Sequence, residues 1–273
     1  MHNLYKEMKS LKIVADERFV MSLAYIKKRL STVKGVICDE TNDETNASDC
    51  RTLECNFTGK REAESALTII KDALAEIIVT DAKSHFIRQN IKLPTHDEVG
   101  ITAFLCALCE FDRTTDKVIV AGLINLTPEF VIGSFYDFCL DILKQRWLEV
   151  CILANDNLPL LMCRQTFSEL LRFLVSNIDS SAGEVFLRRV PKSRTDQIQI
   201  CDRDMKQIEC VYVNESLSNE QKIMASLVAL NPRRIFFCDE PCELYKRVEE
   251  IFSGCVSTNQ AGKPQEVKSF LLY

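Results

Sequence analysis

The chain has 273 residues, of which 47% are hydrophobic and 27% charged, and its formal net charge is −5. This apolar share excludes a chain that is disordered throughout, and the length allows one large domain or two small ones. The acidic balance argues against a dedicated nucleic-acid-binding protein, because phosphate backbones require a basic surface. No apolar run reaches signal-peptide character at the start or the length of about 20 residues that crosses a bilayer. We therefore predict a cytoplasmic protein with no membrane span.

Residues 1–59 are predicted to form a small α/β unit. Residues 11–15 and 50–58 alternate in polarity like strands, and residues 17–30 carry apolar side chains at helical spacing. Gly35 is expected to end that helical region, after which residues 36–38 resume a strand. The next segment, DETNDETNASD at 39–49, has five acids and no base, which predicts a solvated loop.

Residues 60–180 are predicted to form a central helical bundle. Pro94 closes the first helical region, and Thr95 with Glu98 three residues later indicates a capping box for the next helix. The polar residues 112–116 are expected to form a turn. Residues 128–147 then follow as one helix with Thr127 as its cap. Residues 167–178 have the most regular apolar period in the chain.

Residues 181–258 are predicted to form a C-terminal α/β unit, followed by a loose tail at 259–273. Short segments rich in branched and aromatic residues predict strands at 185–190, 198–201, 209–213 and 235–238. Helices are expected at 219–230 and 242–252. Together these segments predict an α+β protein with a small N-terminal α/β unit, a central helical bundle and a C-terminal α/β unit.

The chain holds 13 cysteines, and Cys106 with Cys109 forms its C-x-x-C pair. A structural zinc site needs four soft ligands, usually in two close pairs, and no second tight pair exists. The pair lies in AFLCALCEF, which is apolar nearly all round and therefore typical of a buried helix. We expect these thiols to pack in the core rather than bind metal or carry redox chemistry, and we predict no cofactor.

Several phrases resemble the YtxC-like family of sporulation proteins. The match is carried by Gly122–Leu126, Glu169–Val175, Glu184–Leu187, Ser226–Ile235 and Ile251–Gly254. It covers roughly residues 85 to 256, and leucines replace both aromatics of the family's glycine phrase. The resemblance implies a link to sporulation, without an assigned reaction.

The sequence contains no phosphate-binding loop, no G-x-S-x-G elbow and no H-E-x-x-H motif, so we lean against an enzyme. The first hypothesis is a protein that acts through an unknown protein partner. The alternative is anion or nucleic-acid binding by a basic patch, although a solvated loop explains the same residues and is favoured over it. The residues of this patch are Arg188, Arg189, Lys192, Arg194, Arg233 and Arg234.

An enzymatic site, if there were one, is expected where the middle helices meet the last α/β unit. Glu169 and Arg172 project from the polar side of the most regular helix there and are its candidate binding residues. An ion pair worth less than about 1 kcal/mol is the simpler explanation of both side chains.

Overall fold

The computed structural model describes residues 8–42, 50–92, 97–157, 163–178, 182–190, 197–208 and 217–257. In these ranges the chain is an α+β protein with two separate sheets, which confirms the predicted fold class. Two compact units divide it, the first from Met1–Ile91 and Asp112–Ala154 and the second from Lys92–Phe111 and Asn155–Tyr273. The helices between residues 60 and 180 are thus shared between the units. None of the described helices combines the length and the hydropathy that a bilayer crossing requires.

The elements follow one another along the chain with a π-helical turn at Ile78–Ala82, between α2 and α3. In order they are β1 (Ser10–Ala15), α1 (Val20–Leu30), β2 (Val36–Asn42), β3 (Arg51–Phe57), α2 (Lys60–Ile77), α3 (Lys83–Asn90), α4 (Glu98–Glu110), α5 (Arg113–Leu123), β4 (Glu129–Val131), α6 (Ile132–Cys139), α7 (Asp141–Asp156), α8 (Arg164–Ser176), β5 (Glu184–Arg189), β6 (Ile198–Cys201), α9 (Asn219–Leu230), β7 (Arg234–Phe237) and α10 (Glu243–Ile251).

The first unit is built on a four-stranded sheet in the order β2-β3-β1-β4, in which β3 runs antiparallel to both neighbours and β4 runs parallel to β1. Leu11, Ile13 and Ala15 alternate along β1 and are buried, as the period of two requires. Helices α1 and α2 pack on this side of the sheet. Their apolar faces and those of α5 and α7 complete one continuous core.

The second unit has a three-stranded sheet in the order β6-β5-β7, with β6 antiparallel and β7 parallel to β5. One face of this sheet is apolar and carries Val185, Leu187 and Ile235, all buried. Tyr245 of α10 covers that face, since its ring stacks on Phe237 at 4.3 Å and its hydroxyl donates to the Leu187 carbonyl. Helix α9 packs along α4, and α8 packs on α4 and α10.

Four local predictions were wrong, two of them because strand pairing with distant residues overrides the local pattern. The predicted loop at 39–49 begins late, since Asp39 to Asn42 continue β2 and pair with β3. The backbone hydrogen bonds between β2 and β3 form at these acidic residues because β2 is an edge strand, and edge strands tolerate charged side chains. Residues 112–116 are not a turn, because α5 begins at Arg113 after Asp112 reverses the chain with φ 55°.

Two further corrections concern helix ends. Asp97, not Thr95, caps α4, and its carboxylate accepts from the Gly100 amide at 2.8 Å. The single helix predicted over 128–147 is divided into β4, α6 and α7, because Phe130 pairs with Ile13 in the sheet and Leu140 separates the helices. The predicted strand at 209–213 and the tail at 259–273 lie outside the described residues.

Candidate functional site

An open pocket of about 650 Å³ lies at the edge of the second sheet where β5 and β7 begin. Because these two strands are parallel and Glu184 pairs with Arg234, both side chains point to the same face of the sheet. Strand β6 is antiparallel and ends at this edge, so the turn that follows it completes the pocket. The lining residues are Gly183, Glu184, Asp202, Arg203, Asp204, Arg233 and Arg234.

The Glu184 carboxylate lies next to two arginine side chains of this pocket. Arg203 Nε donates to Glu184 Oε2 at 2.8 Å, and Arg234 Nη1 lies 3.7 Å from Glu184 Oε1. The hydrogen bond from Arg203 holds the pKa of Glu184 below its ordinary value, so the carboxylate is charged at neutral pH. Both arginine side chains extend into solvent, with 74% of Arg203 and 66% of Arg234 exposed.

The pocket floor is open at Gly183, where a Cβ atom would meet no heavy atom within 4 Å. The Gly183 carbonyl accepts from the amides of Arg233 at 2.9 Å and Arg234 at 3.2 Å, which fixes the start of β7. Asp202 also lines the pocket, and its Oδ1 accepts from the amides of Asp204 and Lys206 at 2.9 Å each. That carboxylate is therefore used to build the turn.

The structure does not bring the two predicted arginine pairs together. Arg233 and Arg234 line the pocket, whereas Arg188 and Arg189 lie at the other end of β5. Four residues of strand separate Glu184 from Arg188, which corresponds to about 13 Å. The Arg188 guanidinium contacts the side-chain amide of Gln199 on β6. Lys192 and Arg194 lie outside the described residues.

Sequence reasoning missed the pocket partners Gly183, Glu184, Asp202 and Arg203. Asp202 and Arg203 directly follow the predicted strand at 198–201, and Gly183 with Glu184 directly precedes the strand predicted at 185–190. This placement at strand ends was the available signal, but only the strand order shows that the ends meet.

An aromatic pair lies between the two arginine clusters on the same face of the sheet. Phe186 of β5 and Phe236 of β7 are paired in register, and their rings stack with centroids 4.9 Å apart at 15°. Both side chains are half-buried. One face of each ring is covered by the other ring. The pair therefore mainly fixes the register of β5 and β7.

Glu169 and Arg172 lie on α8, where Glu169 bonds within the helix and Arg172 contacts a neighbouring helix. Arg172 Nε donates to the Glu250 carbonyl of α10 at 2.8 Å, and Glu169 accepts from Gln165 at 3.3 Å. The buried Arg247 of α10 joins the same region, because its guanidinium donates to Ser168, Glu250 and Asp97. These contacts hold α8, α10 and the start of α4 together.

A buried ion pair ties three helices of the first unit. Lys83 Nζ of α3 donates to Asp116 Oδ2 of α5 at 2.8 Å, and Trp147 Nε1 of α7 donates to the same oxygen at 2.9 Å. Lys83, Asp116 and Trp147 are all buried. Pairing compensates both buried charges, although Asp116 Oδ1 accepts no hydrogen bond from the described residues and has only the Arg146 guanidinium, 3.5 Å away.

Of the twelve cysteines among the described residues, four are buried, six are half-buried and two are exposed. Cys109 is buried and Cys106 half-buried in α4, and Cys38 faces Cys55 across β2 and β3 with 3.6 Å between the sulfurs. Burial raises the pKa of both Cys38 and Cys55. Within the described ranges, no group of three or more His, Cys, Asp or Glu side chains is placed to hold a metal ion.

Among the described residues of the first unit, the most exposed large apolar side chains lie where α6 meets α7. Phe138 is 80% exposed and Ile142 is 78% exposed, while Leu140 between them is fully buried in the core. We call Phe138 and Ile142 the α6–α7 ridge. Leu140 anchors the chain at this point, so the two neighbours are directed outward.

No protein-family model, curated protein or solved structure matches this chain. The resemblance to the YtxC-like family therefore stays a prediction.

Proposed function

We propose that the chain acts by binding a protein partner rather than by catalysis, and that the α6–α7 ridge is its binding surface. The observation that supports this is the exposure of Phe138 and Ile142 beside the buried Leu140. Burying one such side chain on a partner is worth about 1.5–3 kcal/mol. A few well-buried side chains near the centre of an interface, often large aromatic ones, supply most of the binding energy of typical complexes.

The surroundings of the ridge are held in place by charged contacts. Arg18 pairs with Asp137 at 3.0 Å and with Asp16 at 2.7 Å, which ties α6 to the end of β1. Lys144 Nζ donates to the Asp137 carbonyl at 3.0 Å and lies 4.5 Å from the centre of the Tyr136 ring. A surface that is already ordered loses little entropy on binding, which favours its use as an interface.

Site-specific photo-crosslinking in the cells that make the protein tests this proposal. A photoreactive side chain at Phe138 or Ile142 should give one defined protein adduct. The same group at Met21, which is 76% exposed on α1, is the matched control and should give no such adduct. Phe138→Asp should abolish the adduct formed from position 142 while the protein stays folded, because the replaced side chain is outside the core. The absence of an adduct from both ridge positions would refute the proposal.

The resemblance over residues 85 to 256 supports a partner that is made during sporulation, and we place this interaction in the cytoplasm because the sequence carries no export signal that we recognise. Deleting the gene and counting heat-resistant spores tests this part separately, and a wild-type spore count would contradict it. The alternative, nucleic-acid binding by one pooled basic patch, is less well supported, because Arg188 and Arg233 lie near opposite ends of the second sheet.

A further inference from the structure

We propose that the pocket where β5 and β7 begin binds the phosphate group of a small phosphorylated molecule, with Arg203, Arg233 and Arg234 as its ligands. This inference does not depend on the α6–α7 ridge, because the pocket belongs to the second unit.

The arginine side chains that line the pocket carry more N–H donors than the neighbouring acceptors bind. Each guanidinium carries five N–H donors in a planar fork. Glu184 receives a hydrogen bond from Arg203, but Arg234 at 3.7 Å is beyond hydrogen-bonding distance. The side chain of Arg233 makes no hydrogen bond or ion pair with any part of the chain that the structure describes. Most of these N–H groups therefore face the solvent in the pocket mouth.

A phosphate dianion can replace Glu184 as the partner of these arginines. A phosphate group offers three acceptor oxygens and a charge of about −2 at neutral pH, whereas a carboxylate offers two oxygens and a single charge. Arg203 and Arg234 approach Glu184 from β6 and β7, so a group between them would receive hydrogen bonds from both sides. In this arrangement Glu184 positions the guanidinium groups while the pocket is free and competes with the incoming anion.

Size and charge favour a small molecule over a polyanion. A volume of about 650 Å³ falls within the range of about 300–1,000 Å³ typical of small-molecule sites. The chain as a whole carries a charge of −5, which repels a long phosphate backbone. The open floor at Gly183 lets a ligand approach the backbone without meeting a side chain.

Isothermal titration of the full chain at low ionic strength tests the proposal, with inorganic phosphate and ribose 5-phosphate as probes. Binding of both probes with similar affinity would identify free phosphate as the ligand, and tighter binding of ribose 5-phosphate would identify a phosphate ester. In both cases Arg203→Gln and Arg234→Gln should weaken binding about tenfold, which is the scale of one charge-assisted pair. Glu184→Gln should tighten binding, because it removes the competing carboxylate.

Two variants distinguish specific binding in this pocket from a general electrostatic attraction to the protein. Arg188→Gln removes one positive charge from the far end of β5, about 13 Å from Glu184, and should leave the affinity unchanged. Gly183→Ala adds a methyl group to the floor without a clash and should weaken binding. Failure of the wild-type chain to bind either probe at millimolar concentration would overturn the proposal. So would equal weakening by Arg188→Gln and Arg234→Gln, or binding of a single-stranded oligonucleotide without binding of either small probe.

Discussion

Replacing Asp81 with asparagine is expected to stabilise the first unit at neutral pH. Asp81 lies in the π-helical turn Ile78–Ala82, where the hydrogen-bonding ladder between α2 and α3 widens. Its carboxylate has no hydrogen-bond or ion-pair partner among the described residues, and burial raises its pKa to about 6. Burial therefore favours the protonated form of the Asp81 carboxyl group in the folded state. Keeping this group charged at neutral pH lowers the free energy of unfolding.

The size and sign of this cost follow from the two pKa values. A rise from the ordinary value of 3.8 to about 6 corresponds to at most about 3 kcal/mol, and the partial exposure of Asp81 reduces it further. Because the folded-state pKa is raised, the stabilising effect of the proton is complete below about pH 4. It is lost as the pH rises through about 6. The asparagine side chain does not titrate, so the advantage of the Asp81→Asn variant should be about 1–3 kcal/mol at pH 7.5 and mostly gone at pH 4.5.

Trp147 makes the measurement specific to the first unit. It is the chain's one tryptophan, it is buried there, and it contacts Asp116 and the Phe86 ring. Urea unfolding followed by its fluorescence at the two pH values reports the unfolding free energy of wild type and Asp81→Asn. An advantage of equal size at both pH values, or a loss of stability at pH 7.5, would refute the burial argument.

Asp72→Asn is the matched control, because its carboxylate is in the opposite situation. Burial raises the pKa of Asp72, but the hydrogen bonds from Lys117 and Arg29 outweigh burial and leave that pKa below its ordinary value. The ionised form is therefore stabilising above the unfolded-state pKa and ceases to be so as the pH falls through the depressed value. We expect Asp72→Asn to destabilise the unit at pH 7.5 by less than about 1 kcal/mol, since the pair is partly exposed.

Three further predictions concern a charge, a cap and a thiol. Lys83→Met removes the buried cation of Asp116 and leaves Arg146, 3.5 Å away, as its only cation among the described residues, so it should cost about 3 kcal/mol, again measured by tryptophan fluorescence. Ser218→Ala removes the capping box of α9 and should cost about 1 kcal/mol, seen as faster hydrogen exchange of α9 amides; unchanged exchange would contradict it. Cys163 is exposed at the start of α8, where hydrogen bonds from Thr166 lower its pKa, so a thiol probe at pH 7 should label it well before Cys55.

Elements defined by local chemistry could be predicted from the sequence with accurate ends. Helix α9 spans Asn219–Leu230 as predicted, and it is bounded by the Ser218 capping box and by Asn231 in the left-handed conformation. Gly35 was expected to end the first helix, but α1 already ends at Leu30 with Ser31 as its C-cap, and Gly35 adopts φ 78° in the turn before β2. At Ser218, Asn231 and Gly35 the residue supplies a hydrogen bond or a conformation that few other residues supply, so the signal is local.

Elements defined by distant partners could not be predicted. Strand β4 exists because Phe130 pairs with Ile13, more than a hundred residues earlier, although Pro128 and the following apolar residues fit a helix start. The end of β2 likewise depends on pairing with Arg51 rather than on its own acidic residues. Neither partner can be found from the periodicity of the segment itself.

The same distinction applies to the candidate sites. Arg233 and Arg234 form a basic dipeptide that is visible in the sequence. They line a pocket only because the strand order β6-β5-β7 brings Glu184 and Arg203 next to them. Phe138 falls within the single helix predicted over 128–147, and the break at Leu140 is what directs it into solvent. Strand pairing thus creates the pocket and a helix break creates the ridge. Because the two features lie in different units and differ in chemistry, Arg234→Gln should remove phosphate binding without affecting crosslinking at the ridge, and Phe138→Asp should do the reverse.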